Sequence, residues 1–213
     1  MKKSILISMA LATPLCVGHA SATVLNFDNP PVPFQVGYGV NDVYTESGYS
    51  LRTIGGTGAI IRFNPFVQNA LVPNNGTVHF GVTYDANPVL TREPRHLFDF
   101  QSLDLAEYSE FVPAPLVTLA GITATGETLI RSITLDGIFD GLGGSNDFQH
   151  VELAWRKLTR VEFRASGFAF DNLEVRAVPE PTTAGLVAAG LLAFAIRRSS
   201  AKSDQKVNSI ENP

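Results

Sequence analysis

The sequence predicts an all-β protein, an antiparallel β-sandwich of jelly-roll-like build held between two apolar ends. Three observations point there. Between Thr23 and Ala177 no stretch shows the 3.6-residue apolar spacing of an amphipathic helix. Short runs rich in β-branched and aromatic residues are broken by turn formers, as at Asn74-Asn75-Gly76, Thr125-Gly126-Glu127 and 141–146. Val161, Phe163 and Ala165 alternate with Glu162 and Arg164, the pattern of a strand with one face buried.

The N-terminal end, residues 1–22, reads as a secretory signal peptide. Met1-Lys2-Lys3 supplies the positive region, Ile5 to Val17 the apolar stretch, and Ala20-Ser21-Ala22 the small-x-small pattern at which signal peptidase cuts. The single cysteine, Cys16, lies inside this segment. Cleavage after Ala22 leaves a mature chain without a thiol, which excludes disulfides, thiolate metal sites and a cysteine nucleophile. From Thr23 to Pro181 there are ten basic and eighteen acidic residues, a formal charge of −8. A body this acidic repels phosphate backbones, so no nucleic-acid partner is expected.

The body, 23–177, is expected to begin with strands at Thr23 to Phe27, Tyr49 to Ile54, Thr77 to Thr83 and His96 to Leu105. Val117 to Thr123, Thr128 to Leu135, Phe148 to Leu153, Val161 to Ala165 and Phe168 to Arg176 follow, enough for a sandwich or jelly roll. In the last of these, Phe168 and Phe170 share one parity while Leu173 and Val175 share the other. The slip at Asp171-Asn172 predicts a bulge that keeps all four apolar residues on the core face and turns Asp171 and Asn172 outward. The same slip separates Phe98 and Phe100 from Leu103 and Leu105, around Gln101-Ser102.

At the C-terminal end the composition changes. Val178-Pro179-Glu180-Pro181 forms a stiff extended spacer, because proline fixes φ and lacks an amide donor. The uncharged apolar run Thr182 to Ile196 follows and stops at Arg197-Arg198. As a helix it reaches about 22 Å, short of the roughly 30 Å hydrocarbon core of a bilayer. Spacer, apolar helix and arginine pair, in this order over 178–198, resemble the PEP-CTERM sorting signal. That resemblance implies recognition by an exosortase, a membrane-embedded processing enzyme, after transient inner-membrane anchoring through a transmembrane helix at Thr182–Ile196. It also implies delivery to the cell envelope, cell surface or extracellular (biofilm) matrix of a Gram-negative bacterium that makes exopolysaccharide. A plain C-terminal anchor is the alternative. The chain departs from the pattern in a polar stretch, 199–213, which reads as a disordered tail.

Phe168-Ala169-Phe170-Asp171-Asn172-Leu173-Glu174-Val175 resembles the closing strand of secreted jelly-roll domains, among them carbohydrate-binding and galactose-binding-like modules. Several of these hold a structural calcium ion near their joined first and last strands. On that resemblance Asp171, with Asp28 of Leu25-Asn26-Phe27-Asp28, would supply hard oxygen ligands. The plainer reading is that Asp171 and Asn172 only cap a bulge or turn.

No sequence pattern announces a catalyst. His79, His96 and His150 lack metal-ligand spacing, and Gly-x-Ser-x-Gly does not occur. Neither 136–147 nor Gly55-Gly56-Thr57-Gly58 follows a calcium-loop or phosphate-loop order. Asp104, Glu107 and Glu110 offer carboxylates for a glycosidase pair, which must face each other across a sugar. Trp155, Tyr108, Tyr84, Tyr44 and Phe148 are either a sugar-stacking surface or core. The expectation is therefore an exported, non-catalytic interaction module that binds polysaccharide. A secreted carbohydrate-active enzyme and a structural matrix protein without a small ligand are the alternatives.

Overall fold

In the computed structural model the chain divides into two units, Ala20–Val178 and the two ends, Met1–His19 with Pro179–Pro213. The structure describes residues 21–28, 35–62, 72–82, 86–109, 116–137 and 147–179, together with Gly190. The fold described below is that of the first unit.

The unit is built of antiparallel strands whose hydrogen bonds follow one path, which doubles over into two layers. The front layer runs β2 (Gln35–Tyr38), β5 (Gly58–Arg62), β6 (Val78–Val82), β12 (Phe168–Ala177), β8 (Phe98–Glu107) and the first half of β11 (Gln149–Arg164). β1 (Ala22–Leu25) joins it beside β12. The back layer runs β3 (Val43–Glu46), β4 (Tyr49–Ile54), β7 (Asn87–Arg92), the second half of β11, β9 (Leu116–Thr123) and β10 (Thr128–Thr134).

β11 carries the path from one layer to the other. It pairs with β8 from Gln149 to Leu158 and with β7 and β9 from there to Arg164. Against β8 its register shifts twice, between Glu152 and Trp155 and between Trp155 and Leu158. Ala154 and Lys157 take φ of 52° and 53° in these intervals, the left-handed conformation that bends a bulged strand. Here two expected strands, Phe148 to Leu153 and Val161 to Ala165, prove to be one, because the bulges turn the strand without ending its ladder. β2, β3, β5 and β7 lie outside the expected strands altogether.

Aromatic side chains fill the space between the layers. Phe163 of β11 stacks on Phe170 of β12 with ring centres 4.7 Å apart, and Tyr49 of β4 meets Phe98 of β8 at 5.6 Å. The two ends of the path also meet, Tyr38 of β2 lying 6.1 Å from Tyr44 of β3. Such edge-on and offset contacts add about 1 kcal/mol each beyond the area they bury.

The bulges expected from parity are present, and they compensate. β12 gains a residue against β8 between Asp171 and Glu174, and β8 gains one back opposite Glu174 and Val175. Asn172 adopts φ 49° at the first. Phe168, Phe170, Leu173 and Val175 thereby all reach the core, fully buried.

Candidate functional site

Two outer surfaces of the sandwich carry polar chemistry. On the front layer, the β12 bulge turns Asp171 off the core face, but Asp171 does not reach water. The Asn75–Thr77 turn closes over it. Asn75 Nδ2 donates to Asp171 Oδ2 at 2.6 Å, Thr77 Oγ1 meets the same oxygen at 2.9 Å, and the Asn172 amide donates to Oδ1 at 2.7 Å. The carboxyl is wholly buried. Desolvation pushes its pKa up to about 7, against the pull of Asn75, Asn172 and Thr77, and Asp28 adds to the rise.

The sequence reading thus brings Asp28 and Asp171 close enough to feel each other's charge, and it errs on exposure. A turn distant in sequence supplies the cover. The residues described here do not fit a calcium ion. Calcium needs six to eight oxygens, whereas the Asp171 oxygens already face hydrogen-bond donors. Among the described residues no group of three His, Asp or Glu side chains is placed to hold a metal.

His79 lies nearby on β6, fully buried, with both ring nitrogens unpaired among the described residues and its ring 5.3 Å from Phe148. Burial alone lowers its pKa to about 3, so it is a neutral imidazole. Beside this covered patch lies an open groove lined by Gln101, Ser102, His150, Glu152, Ala154 and Glu174. At its rim Asp104 accepts from Asn172 Nδ2 at 2.8 Å and pairs with His150 Nδ1 at 2.7 Å.

The back layer presents a different surface. Ile54, Asn87, Val89, Glu162 and Arg164 line an open groove of about 370 Å³ across β4, β7 and β11. Glu162 sits between two arginines, with Arg160 Nε at 2.8 Å and Arg164 Nη2 at 2.7 Å. The hydrogen bond from Arg164, then that from Arg160, lowers its pKa against the opposing effect of partial burial. The groove therefore joins an apolar floor to a fixed set of hydrogen-bonding and charged groups.

Of the residues named for catalysis, the two that the structure describes do not assemble. Asp104 and Glu107 lie three apart on a regular part of β8, so they project to opposite faces. Glu107 is buried and accepts from the Gly137 amide at 2.7 Å; Glu110 lies outside the described residues. The described aromatic candidates form no outer platform either. Tyr44 and Phe148 are buried, and Trp155 packs against the core. A Cβ on Gly121 would come within 2.7 Å of the Trp155 ring, so the indole needs a glycine beneath it. Tyr108 packs on Ala59 and Val72, and Tyr84 lies outside the described residues.

A protein-family model for the PEP-CTERM protein-sorting motif matches residues 177–199. The chain carries a PEP-CTERM sorting motif. The motif marks it for exosortase-dependent export to the cell surface of a Gram-negative bacterium. No curated protein matches the sequence. Among solved structures, the enzymatically active domain of tailspike protein 4 of bacteriophage CBA120 is 18% identical, with a TM-score of 0.27. That match covers 74% of this chain but 19% of the tailspike chain, so the chain spans about a fifth of that protein's length. The family 11 carbohydrate-binding module of the cellulosomal cellulase Lic26A-Cel5E of Clostridium thermocellum is 13% identical, with a TM-score of 0.26 over 77% of this chain and 99% of the module. A second structure of a family 11 module from that organism, in complex with a β-1,3-1,4-mixed-linked tetrasaccharide, gives 13% identity and a TM-score of 0.25. It covers 75% of this chain and 97% of the module.

The PEP-CTERM motif begins where the body ends. Ala177 closes β12, and the Val178 amide donates to the Leu97 carbonyl at 3.1 Å. Pro179 follows, while Glu180, Pro181, Arg197 and Arg198, with the apolar run and the polar tail, lie outside the described residues. Among the described residues no helix is long and apolar enough to cross a membrane. At the other end Ala22 pairs with Arg176, so the body starts and finishes on neighbouring strands. Ala20 and the rest of the expected signal peptide, apart from Ser21 and Ala22, lie outside the described residues.

Proposed function

We propose that the body is a non-catalytic polysaccharide-binding module, delivered by the sorting motif to the envelope or extracellular matrix after passing signal peptidase and exosortase. The observation that carries this reading is the groove on the back layer. Val89 and Ile54 offer an apolar floor to the C–H face of a sugar ring, while Asn87, Glu162 and Arg164 surround it with hydrogen-bonding groups. It runs across three strands and is open to water, which suits a chain that passes over a surface. The front groove, with Glu152, Glu174 and Asp104, has no comparable apolar floor. The projection of Asp104 and Glu107 to opposite faces supports binding without hydrolysis.

The test is electrophoresis of the full-length protein through gels containing neutral or acidic polysaccharides, with reducing ends assayed in parallel. Retardation by at least one polymer without new reducing ends is the expected result. Release of reducing ends would make the protein an enzyme, and absence of retardation by every polymer would end the polysaccharide reading.

A further inference from the structure

The strand register lays out the outer face of the back layer residue by residue. One row across the strands reads Val43, Arg52, Val89, Glu162, Ala120, Ile130. The row to one side holds Ser50, Thr91, Arg160 and Thr128, and the row to the other holds Ile54, Asn87, Arg164 and Ser132. In these rows three arginines face a single acid, Glu162. This excess of positive charge stands on a body whose formal charge is −8.

The arginines are free to bind. Arg160 and Arg164 have half-exposed side chains, and Arg52 is exposed and makes no ion pair or hydrogen bond among the described residues. Glu162 engages Arg160 only through Nε and Arg164 through Nε and Nη2, which orients both guanidinium planes and leaves donors pointing outward. At about 3.3 Å per residue the backbones of Arg160 and Arg164 stand about 13 Å apart, but both guanidinium groups converge on the Glu162 carboxylate, and Arg52, two strands over, lies about 10 Å from Glu162. Two guanidinium groups thus stand together at Glu162 on one side of Val89, with that of Arg52 on its other side.

We infer that the polymer bound here is anionic, a polysaccharide bearing carboxylates such as a polyuronate, with Arg52, Arg160 and Arg164 each taking a carboxylate. This inference rests on the polysaccharide reading above and names its ligand class. Guanidinium and carboxylate match as planar, two-pronged partners, and the pairing is stronger than a neutral hydrogen bond. The acidic rim of the front groove would repel the same polymer, so charge assigns it to the back.

The probe is polygalacturonate, compared with the same polymer after its carboxylates are reduced to alcohols, using the full-length protein. Polygalacturonate is expected to bind at least tenfold more tightly than the reduced polymer, and less tightly at higher salt. Arg52→Gln and Arg164→Gln should each weaken it on the order of tenfold, with unchanged thermal unfolding, while Glu174→Gln in the front groove leaves binding as it was. Equal binding of the two polymers overturns the anionic assignment and leaves the polysaccharide reading standing. Binding of neither, nor of any other polysaccharide, removes that reading itself. Binding that survives both arginine substitutions overturns the location. Salt-sensitive self-association without polymer, lost in Arg52→Gln and Arg164→Gln, would show that a second copy's acidic front occupies the face and would overturn the assignment.

Discussion

Charged groups sit on both outer faces of this sandwich, and the two faces treat them in opposite ways. Asp171 on the front is sealed under Asn75 and Thr77, while Glu162 on the back lies between two half-exposed arginines. Burial raises the pKa of the first toward neutrality; hydrogen bonds from arginine lower that of the second. The front carboxyl has become part of the protein's interior, a joint between β12 and a turn almost a hundred residues earlier in the chain. The back carboxylate stays in contact with solvent and with whatever solvent brings. Placement of a charge relative to cover, more than its presence on a strand, decides whether it serves the fold or the surface.

Substitutions can sharpen that contrast. Asp171→Ala strands the Asn75 and Asn172 donors in a buried site, and should lower stability by about 3 kcal/mol, read as a lower urea midpoint. If the loss is no larger than for a surface residue, the covered carboxyl is not a joint. The pH dependence of stability comes next. Asp171 has a folded pKa raised from 3.8 to about 7, so its contribution is present in full below about pH 4 and is lost as pH rises through 7. His79 is shifted the other way, from 6.5 down to about 3, so its contribution is present above pH 6.5 and is lost as pH falls toward 3. Where these windows overlap, opposing slopes of about 1.4 kcal/mol per pH unit cancel. Unfolding curves from pH 4 to 6.5 should show stability rising with pH in Asp171→Asn and falling in His79→Leu.

His79→Leu should also stabilise the protein at pH 7 by about 1 kcal/mol, since it removes two buried, unpaired nitrogens. A lower melting temperature would mean that the imidazole is held by a group the contacts do not reveal. On the open face, Glu162→Gln should change the melting temperature by an amount equivalent to less than about 0.5 kcal/mol, because ion pairs in water contribute little. A larger effect would make the back face structural and erase the contrast.

The sequence was most informative where its pattern was local. Alternation at Val161, Phe163 and Ala165 placed Glu162 and Arg164 on the outer face, where the structure has them. Parity slips at Asp171-Asn172 and Gln101-Ser102 mark the two bulges, because a residue gained on one strand must be repaid on its partner. The fold's joints were not legible. β2 and β3 have four residues each, too few for a pattern, and β7 opens with Asn87-Pro88, which reads as a turn. Pro88 is tolerated because the ladder with β11 covers only Val89 to Thr91. The back groove was hidden for another reason: Ile54, Val89 and Arg164 come from three strands, and only the register between them makes a surface. The arginine–glutamate–arginine spacing on β11 was its one visible trace.

β12 is the last strand of the body and lies inside its layer, hydrogen-bonded to β8 along one edge and to β6 and β1 along the other. A protein threaded across a membrane from its N-terminus delivers that strand at the end. Without β12 the front layer is missing its middle and β1 has no neighbour. Long-range pairing of this kind is slow to nucleate. Because the sorting motif starts at residue 177, the strand that completes the body is also the one that leads into the motif. The topology thus ties closure of the body to the stretch of chain that carries it into the motif.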